Sequence, residues 1–416
     1  MSSADALALQ VFARMPGGEL LHAGRLLSRN LSSLDHKQGF FQYNASYLAH
    51  PAAYSLDPVH LPLGPGTFNA NRGESGIHAI FDDSLPDAWG RSILAKRAGL
   101  DKTRFNSIHL LAALAGDGLG RLLYADDHRV SAPACRDASL NWEQIAAAIQ
   151  EAGLFERDMD TENQTLQHLL ACGSSAGGAR PKVLVRKDHH LWLAKFSSIR
   201  DPNPALLVAL EQAGMLLAKK TGLEIPELQR LKIAERDILL IRRFDVAPEG
   251  GRNAMVSMRT LTGVENPYLA SYGDMAEVVR SVSSQPDKDL AALFRWMSIN
   301  VLLQNTDDHL QNFSMLHTSR GWRLSPGYDI TPNIHQDRHI LRINGIDGPF
   351  SRQDLLIEGR QFGLSAQKCR RLFDEVFTGL ASWEMTFEQC GVPWEHTRNL
   401  RADLHRRRSS LEAISP

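Results

Sequence analysis

The sequence predicts an α+β fold of two lobes, with a small α+β N-terminal lobe and an all-helical C-terminal lobe. The chain has 416 residues, which is too long for one small core. Segments with the turn signals and apolar runs of strands fall mainly before residue 250. Past residue 341, Ser351 and Asp354 resemble a helix capping box, and apolar residues recur at helical spacing, as in Leu372, Val376, Leu380, Trp383 and Phe387. We divide the chain into three regions, residues 1–130, 131–250 and 251–416, of which the last is mainly helical.

Composition narrows the possible functional classes. Hydrophobic residues make up 43%, charged residues 22%, and the formal net charge is −1, which gives no global argument for a nucleic-acid or membrane partner. The four cysteines are far apart without a CxxC pair, so we expect neither a disulfide framework nor a zinc site. No apolar run reaches the roughly 20 residues that cross a bilayer. We therefore expect a cytoplasmic protein.

The region of residues 1–130 is expected to be a structural α+β subdomain without catalytic residues. Pro16-Gly17-Gly18 interrupts two apolar segments and predicts a hairpin over residues 8–27. Pro86 is a favourable start for a helix, and His109–Ala115 predicts another. The pattern of Arg121–Asp127 predicts a strand.

The stretch Asn305–Asn312, NTDDHLQN, is the strongest candidate for chemistry. It follows an apolar helical run and precedes two predicted strands, Phe313–Leu316 and Trp322–Leu324, which lead to Asp329. An Asp and an Asn five positions apart, followed by a second Asp, is the spacing of a phosphotransfer site. Asp307 would orient a hydroxyl, while Asn312 and Asp329 would hold Mg²⁺. A polar surface loop is the alternative, and Asp308 is assigned no role.

The region of residues 131–250 is predicted to bind the nucleotide. A run of small residues, Gly173–Ala179, precedes a hairpin whose second strand carries Lys195. Glycines let backbone N–H groups approach phosphates, and a Lys among apolar neighbours calls for an anionic partner. The alternative for Lys195 is an edge-strand side chain in water.

Helix Pro204–Leu223 places Glu211 near its apolar face, where the carboxylate could position Lys195 by an ion pair or could simply be solvated. The apolar strand Ile238–Ile241 then ends in Arg242-Arg243-Phe244-Asp245, where a kinase would have its adenine-reading hinge. The basic C-terminal segment at Arg398–Arg408 predicts either a solvated surface or a contact with nucleic acid or a phosphate.

A family resemblance rests on the stretches SLPDAWGRSIL, SSAGGARPK, LAKF, RRFD, TDDHLQNFSML and YDITP. Together they resemble the HipA-type kinases of bacterial toxin–antitoxin modules, over most of the chain. The resemblance implies a two-lobed protein-kinase-like fold and transfer of the ATP γ-phosphate to a protein serine or threonine. It implies an aminoacyl-tRNA synthetase or another translation component as substrate, with growth arrest as the result. It also implies a HipB-like helix-turn-helix antitoxin, through which operator DNA is contacted.

The resemblance also assigns residues. Asp307 resembles the catalytic Asp, and Asn312 and Asp329 resemble the Mg²⁺ ligands. The predicted ATP site consists of Gly177, Gly178, Ala179, Arg180, Lys182, Lys195, Arg242, Phe244, His309, Gln311 and Tyr328. Ser175, or its neighbour Ser174, stands where the family autophosphorylates. Gln311 departs from the Lys common before the Asn. Two other functions stay open: a small-molecule kinase of the aminoglycoside type, and a catalytically inactive co-repressor scaffold.

Overall fold

A computed structural model describes residues 6–31, 36–70, 76–86, 88–100, 106–116, 120–128, 131, 140–157, 181–199, 201, 203–233, 235–336 and 338–412. The chain forms two compact units. The first comprises Met1–Asp201 and Leu231–Val256, and the second comprises Pro202–Arg230 and Ser257–Pro416. The division into three regions made from the sequence is a different one and stays a prediction.

The first unit opens with an antiparallel sheet whose strand order is β4-β3-β2-β1-β5. Apolar residues on alternate positions, such as Leu9, Val11 and Leu26, are fully buried. The predicted hairpin and the predicted strand before residue 127 are confirmed. The strands are β1 (Ala6–Arg14), β2 (Leu20–Leu31), β3 (His36–Tyr43), β4 (Thr67–Asn69) and β5 (Leu122–Asp126).

Short helices cover this first sheet. The Phe81 ring lies 5.0 Å from that of Phe41 on β3, and the Tyr124 hydroxyl donates to Ser84 Oγ at 2.7 Å. These contacts attach the segment around Pro86 to the sheet, and a helix begins two residues after that proline. The helices are α1 (Ala45–Leu48), α2 (Ala79–Asp82), α3 (Ala88–Arg97) and α4 (Ser107–Leu114).

A second sheet of the first unit has the order β6-β7-β8-β10-β9. Its β7–β8 hairpin, predicted from the sequence, turns at Asp188 and His189, whose φ angles of 49° and 63° are those of a tight two-residue turn. Its elements are β6 (Leu140–Asn141), α5 (Ile145–Glu156), β7 (Lys182–Lys187), β8 (His190–Phe196), β9 (Leu228–Ile233) and β10 (Arg236–Arg242), with a 3₁₀ turn at Trp142–Gln144. Strand β11 (Ala254–Ser257) leads into the second unit.

The second unit is mainly helical and is centred on one buried helix, α9. That helix packs against α8 and α11, and its residues Phe294, Trp296 and Val301 are buried. The helices are α6 (Pro204–Lys220), α7 (Met258–Thr262), α8 (Tyr272–Val282), α9 (Pro286–Leu303), α10 (Arg352–Gln361), α11 (Ala366–Gly379), α12 (Trp383–Gln389) and α13 (Arg398–Glu412). Short 3₁₀ turns lie at Pro267–Leu269, Leu310–Asn312 and Leu380–Ser382. Within the described ranges, no helix is long and apolar enough to span a membrane.

The prediction of an all-helical C-terminal lobe is wrong. Strands β12 (Ser314–Thr318) and β13 (Gly321–Leu324) form an antiparallel hairpin between Asn312 and Asp329. Gly321 has a φ of 92°, which lets the chain reverse, and β13 alternates half-buried and buried residues. The two strands themselves were predicted from the sequence and are confirmed.

The apolar stripe from Leu372 to Phe387 is buried, as expected for core packing. It does not lie on one long helix, because a 3₁₀ turn at Leu380–Ser382 separates α11 from α12. Ser365 caps α11 by accepting a hydrogen bond from the Lys368 backbone N–H. The predicted capping box of Ser351 and Asp354 is present at the start of α10.

Two arginines of the basic segment are used in packing. Arg401 lies over the rings of Phe387 and Trp394, and Arg408 lies 4.1 Å from the ring centre of Phe377. Burial lowers the pKa of both guanidinium groups. Contact of this segment with nucleic acid or a phosphate stays a prediction.

Helix α6 approaches another backbone segment very closely at Gly214. A Cβ atom at this position would lie 2.1 Å from the carbonyl oxygen of Ile330 and 3.0 Å from Pro332 Cδ. Only glycine permits this approach, which packs the helix that carries Glu211 against the segment that follows Asp329.

Replacing Gly214 by Ala should destabilise the protein by about 1–3 kcal/mol, because the new methyl group overlaps a carbonyl that cannot move freely. Thermal or urea unfolding measures the loss. Gly153 is the matched control, since it is also helical but its Cβ would make only ordinary contacts at 3.5 Å. Gly153→Ala should be neutral or stabilising by up to about 1 kcal/mol. Equal stability of the two variants would contradict the close approach.

Candidate active site

The loop Asn305–Asn312 begins where α9 ends. Gln304 terminates the helix in the left-handed conformation, with φ of 55°. Its side-chain amide donates to the carbonyl of Asn333 at 3.0 Å, and its own carbonyl accepts from the Asn333 N–H at 2.8 Å. Arg407 of α13 donates to Gln304 Oε1 at 3.1 Å. The start of the loop is therefore tied both to the segment after Asp329 and to the last described helix.

Neighbouring aspartates of the loop point in opposite directions. The Asp307 side chain is 65% exposed, whereas Asp308 is completely buried. Opposite directions are expected for consecutive residues of an extended stretch. Asp307 thus offers an accessible carboxylate, and its catalytic role stays a prediction.

Asp308 accepts hydrogen bonds from several buried donors. The Tyr272 hydroxyl lies 2.9 Å and His339 Nδ1 3.0 Å from Oδ2, while the Ile340 N–H donates to Oδ1 at 2.9 Å. Burial, together with the charge of Asp308, raises the pKa of Tyr272 well above its ordinary value, so the phenol keeps its proton and donates. Sequence reasoning assigned this aspartate no role.

Two buried asparagines extend the network under the loop. Asn305 Nδ2 donates to Asn300 Oδ1 at 3.0 Å, and Asn300 Nδ2 donates to the Tyr272 hydroxyl at 2.9 Å. Chains of buried hydrogen bonds in a low-dielectric interior hold one arrangement, because any break leaves an unsatisfied polar group. The loop thus rests on side chains from both α8 and α9.

The Asn312 side chain, at the end of the loop, bonds to the backbone of Asp307. Its Nδ2 donates to the Asp307 backbone carbonyl at 2.8 Å, which leaves Asn312 Oδ1 as the atom available for another interaction. Amide and carboxylate oxygens are the ligands that Mg²⁺ accepts, so Asn312 and Asp329 have donor atoms that suit this ion. Asp329 is half-buried and adopts a left-handed φ of 56°, an uncommon conformation for a residue with a side chain.

Three more predicted residues lie around this loop. His309 Nε2 is 3.7 Å from Asp307 Oδ1, and its buried Nδ1 has no hydrogen-bond partner among the described residues. Tyr328 interacts by its hydroxyl with Ser314 Oγ at 2.8 Å and donates to the Gln311 carbonyl at 3.1 Å. The Gln311 side chain is exposed. Nucleotide contact by these residues stays a prediction, although Tyr328 visibly braces the hairpin against the loop.

Lys182 and Lys195 belong to the first unit. They are cross-strand partners on β7 and β8, so their side chains leave the same face of the sheet. Lys182 is only 2% exposed and Lys195 is half-buried. Like charges placed directly opposite each other repel, so an anion between or above them would be stabilised. This arrangement suits a phosphate group.

The predicted hinge is held by an internal ion pair. Arg243 forms two hydrogen bonds to the Asp245 carboxylate, at 2.9 and 2.5 Å, and both side chains are buried. Burial acts to raise the pKa of Asp245, but the charges of Arg243 and Arg252 outweigh it and hold that pKa below its ordinary value. Arg242 lies on the exposed side, 3.1 Å from His190 Nδ1, and Phe244 is half-buried.

The remaining predicted residues cannot be compared with the structure. Some residues of the ATP site and both candidate autophosphorylation serines lie outside the described residues, namely Ser174, Ser175, Gly177, Gly178, Ala179 and Arg180. Glu211 is half-buried on α6 in the second unit, and its pairing with Lys195 stays a prediction.

Comparison with known protein families shows the family to which this chain belongs. The family model described as "HipA-like C-terminal domain" matches residues 174–383, just over half of the chain. The chain belongs to the HipA family. A second model, described as the HipA N-terminal domain, matches residues 22–125. The resemblance drawn from the sequence motifs is thereby confirmed.

Individual HipA-family relatives are distant in sequence. The proposed kinase Y4mE of Sinorhizobium fredii is 26% identical over 276 residues, which cover 61% of this chain and 64%, just under two thirds, of that protein. The serine/threonine-protein kinase toxin HipA of Shewanella oneidensis is 21% identical over 359 residues, covering 79% of this chain and 78% of the other.

A solved structure of the Shewanella oneidensis toxin–antitoxin complex of HipA, HipB and operator DNA contains a similar chain. It matches with a TM-score of 0.69 and 16% identity, over 96% of both chains. At this identity the match speaks for the fold, and it confirms a HipA-like fold that mixes helices and sheets.

Sequence reasoning missed the buried half of this HipA-family loop, above all Asp308, Tyr272 and His339. One signal was available. Once Asp307 is assigned to the accessible face of an extended stretch, residues 306 and 308 must face the interior, and a buried Asp needs donors. The donors themselves lie far along the chain and carry no motif.

The ion pair at the predicted hinge yields a pH-dependent prediction. Because the folded-state pKa of Asp245 is lowered, its stabilisation is present above the ordinary Asp pKa and is lost as the pH falls through the folded-state pKa. Asp245→Asn should lower stability at neutral pH by about 3–5 kcal/mol, since Arg243 stays buried without its carboxylate. The variant should also unfold with a shallower acid dependence, which urea unfolding at several pH values measures.

The control for this prediction is Asp347→Asn. Hydrogen bonds from Arg338 and Arg342 lower the pKa of Asp347 too, but this carboxylate lies on the surface. Solvent screens such a pair, so the loss should be much smaller. Equal losses in the two variants would refute a special role for the buried pair.

Proposed function

We propose that this HipA-family protein is a Mg²⁺- and ATP-dependent kinase that transfers the γ-phosphate to a serine or threonine of a protein. The observation that carries the proposal is the loop geometry around Asp307. An accessible carboxylate is followed five residues later by an asparagine that clamps the loop and keeps its amide oxygen available. Family membership and the names of the relatives support the same activity.

The side chains divide the work in a simple way. Bound Mg²⁺ and ATP supply the phosphoryl group and the positive charge that balances it in the transition state. Asp307 accepts a hydrogen bond from the substrate hydroxyl and aligns its oxygen for attack. Asn312 and Asp329 would hold the ion. Lys182 and Lys195 bind phosphate oxygens, with Glu211 positioning Lys195.

The physiological role follows the named relatives. A relative is a kinase toxin, and the solved HipA chain is found with HipB and operator DNA. We therefore assign this protein to a toxin–antitoxin module, with a HipB-like helix-turn-helix antitoxin as partner and DNA contacted through that complex. The substrate is a translation component such as an aminoacyl-tRNA synthetase, and its phosphorylation arrests growth.

Asp307→Asn should lower phosphoryl transfer by about 100-fold or more, because the amide cannot take over the hydroxyl proton. Transfer of labelled phosphate from ATP to proteins of a bacterial lysate measures the change. Asp374→Asn is the control, since that side chain is similarly exposed (59%) and lies in the same unit. If the labelled phosphate appears only in small metabolites, the protein would be a small-molecule kinase. If titration calorimetry detects no binding of Mg²⁺·ATP, the protein would be a catalytically inactive co-repressor scaffold.

Autophosphorylation of the glycine-serine loop is a separate prediction. A phosphate adds roughly two negative charges at Ser175 or Ser174 and should repel the phosphates of ATP. After incubation with Mg²⁺·ATP, mass spectrometry should find a modified peptide covering residues 171–182. The Asp307→Asn variant is the control and should leave the peptide unmodified. An unmodified peptide in the active wild type would rule the switch out.

A further inference from the structure

The loop has an inward-facing row of side chains that no motif assigns. Gln304, Thr306 and Asp308 are all buried, and each bonds to the segment 333–341 that follows Asp329. Gln304 bonds to Asn333, Thr306 Oγ1 donates to the Gln336 carbonyl at 3.2 Å, and Asp308 accepts from Ile340. Three hydrogen bonds therefore join the proposed catalytic loop to the segment that follows Asp329.

We infer that Asp308 is the positioning residue for Asp307. The inference rests on the proposed kinase function for its catalytic consequence. Asn312 bonds the Asp307 backbone carbonyl, and both sequence neighbours of Asp307 are anchored: Thr306 donates to the Gln336 carbonyl, and the Asp308 carboxylate accepts from Tyr272 and His339. With both neighbours held, the Asp307 side chain leaves the loop in one direction.

A carboxylate is required here, and an amide cannot replace it. The donors reach both oxygens: Tyr272 and His339 bond to Oδ2, while the Ile340 N–H bonds to Oδ1. An Asn at this position would have to direct its NH₂ group at one of these donor sets. The resulting clash of donors inside a fully buried site would shift the loop.

The catalytic consequence follows from distance. A misplacement of about 1 Å at a reacting group costs on the order of 100-fold in rate, even when binding is unaffected. Asp308 is completely buried among protein donors, so its loss should lower kcat and leave the KM for ATP nearly unchanged. A merely structural residue would lower the folded fraction and would leave the kcat of folded molecules intact.

The test compares Asp308→Asn with Asp289→Asn in the full-length chain. Asp289 is an equally hidden carboxylate of the same unit, 2% exposed, which accepts from Ser283 Oγ, the Leu324 N–H and Arg323. Both variants should lose stability, and both are assayed at a temperature at which circular dichroism shows them folded. Asp308→Asn should lower kcat about 10- to 100-fold at a similar KM for ATP. Asp289→Asn should keep the wild-type kcat.

A second readout does not depend on activity. Amide hydrogen exchange across residues 304–312 should accelerate in Asp308→Asn and stay at the wild-type level in Asp289→Asn. Tyr272→Phe removes one donor and should give an intermediate exchange rate. Wild-type kcat in Asp308→Asn, or equal exchange in the two Asn variants, would overturn the inference. A wild-type protein without kinase activity would contradict only the proposed function, because the exchange experiment still tests whether Asp308 holds the loop in place.

Discussion

The buried carboxylate of Asp308 is the interaction on which the rest of the candidate site depends. Removing a carboxylate from water is costly unless donors replace the water, and here a phenol, an imidazole and a backbone N–H do so. Because these donors come from α8 and from the segment around residue 340, one charge joins stretches of the chain that are distant in sequence. The order of the loop is thus a property of the whole unit.

Buried hydrogen bonds also explain why the packing of helices and strands does not by itself determine the conformation of the candidate site. Strand order and helix packing place α9 at the centre of the second unit, but they leave open the path of the polar loop beyond its end. That path is set by hydrogen bonds, whose directionality distinguishes one loop conformation from others of similar compactness. Gly214 contributes in another way, because the missing side chain lets a helix and an extended segment come into contact.

Local patterns in the sequence predicted much of this architecture. The β7–β8 hairpin, the strand pair after Asn312, the helix cap at Ser351 and the apolar stripe depend on nearby residues and were foreseen. The description of the C-terminal lobe as all-helical was wrong, because it left out the strand pair around Gly321 that the sequence itself predicted. Asp308 was passed over because its partners lie more than 30 positions away, and no local rule links Asp308 to Tyr272 or His339. The Asp–Asn–Asp spacing and the family resemblance both pointed to Asp307, whose catalytic role stays a prediction, but neither gives an account of what holds its loop in place.

The contact between Arg407 and Gln304 has a consequence for biosynthesis. These residues are 103 positions apart, and the contact joins α13 to the residue where α9 gives way to the loop. A ribosome adds residues one at a time, and N-terminal segments of a chain begin to fold before later ones exist. A nascent chain that has emerged from the ribosome as far as residue 341 contains every donor of Asp308, but it still lacks this brace. A protein proposed to act on the translation machinery thus completes its own candidate catalytic loop only after translation has passed residue 407.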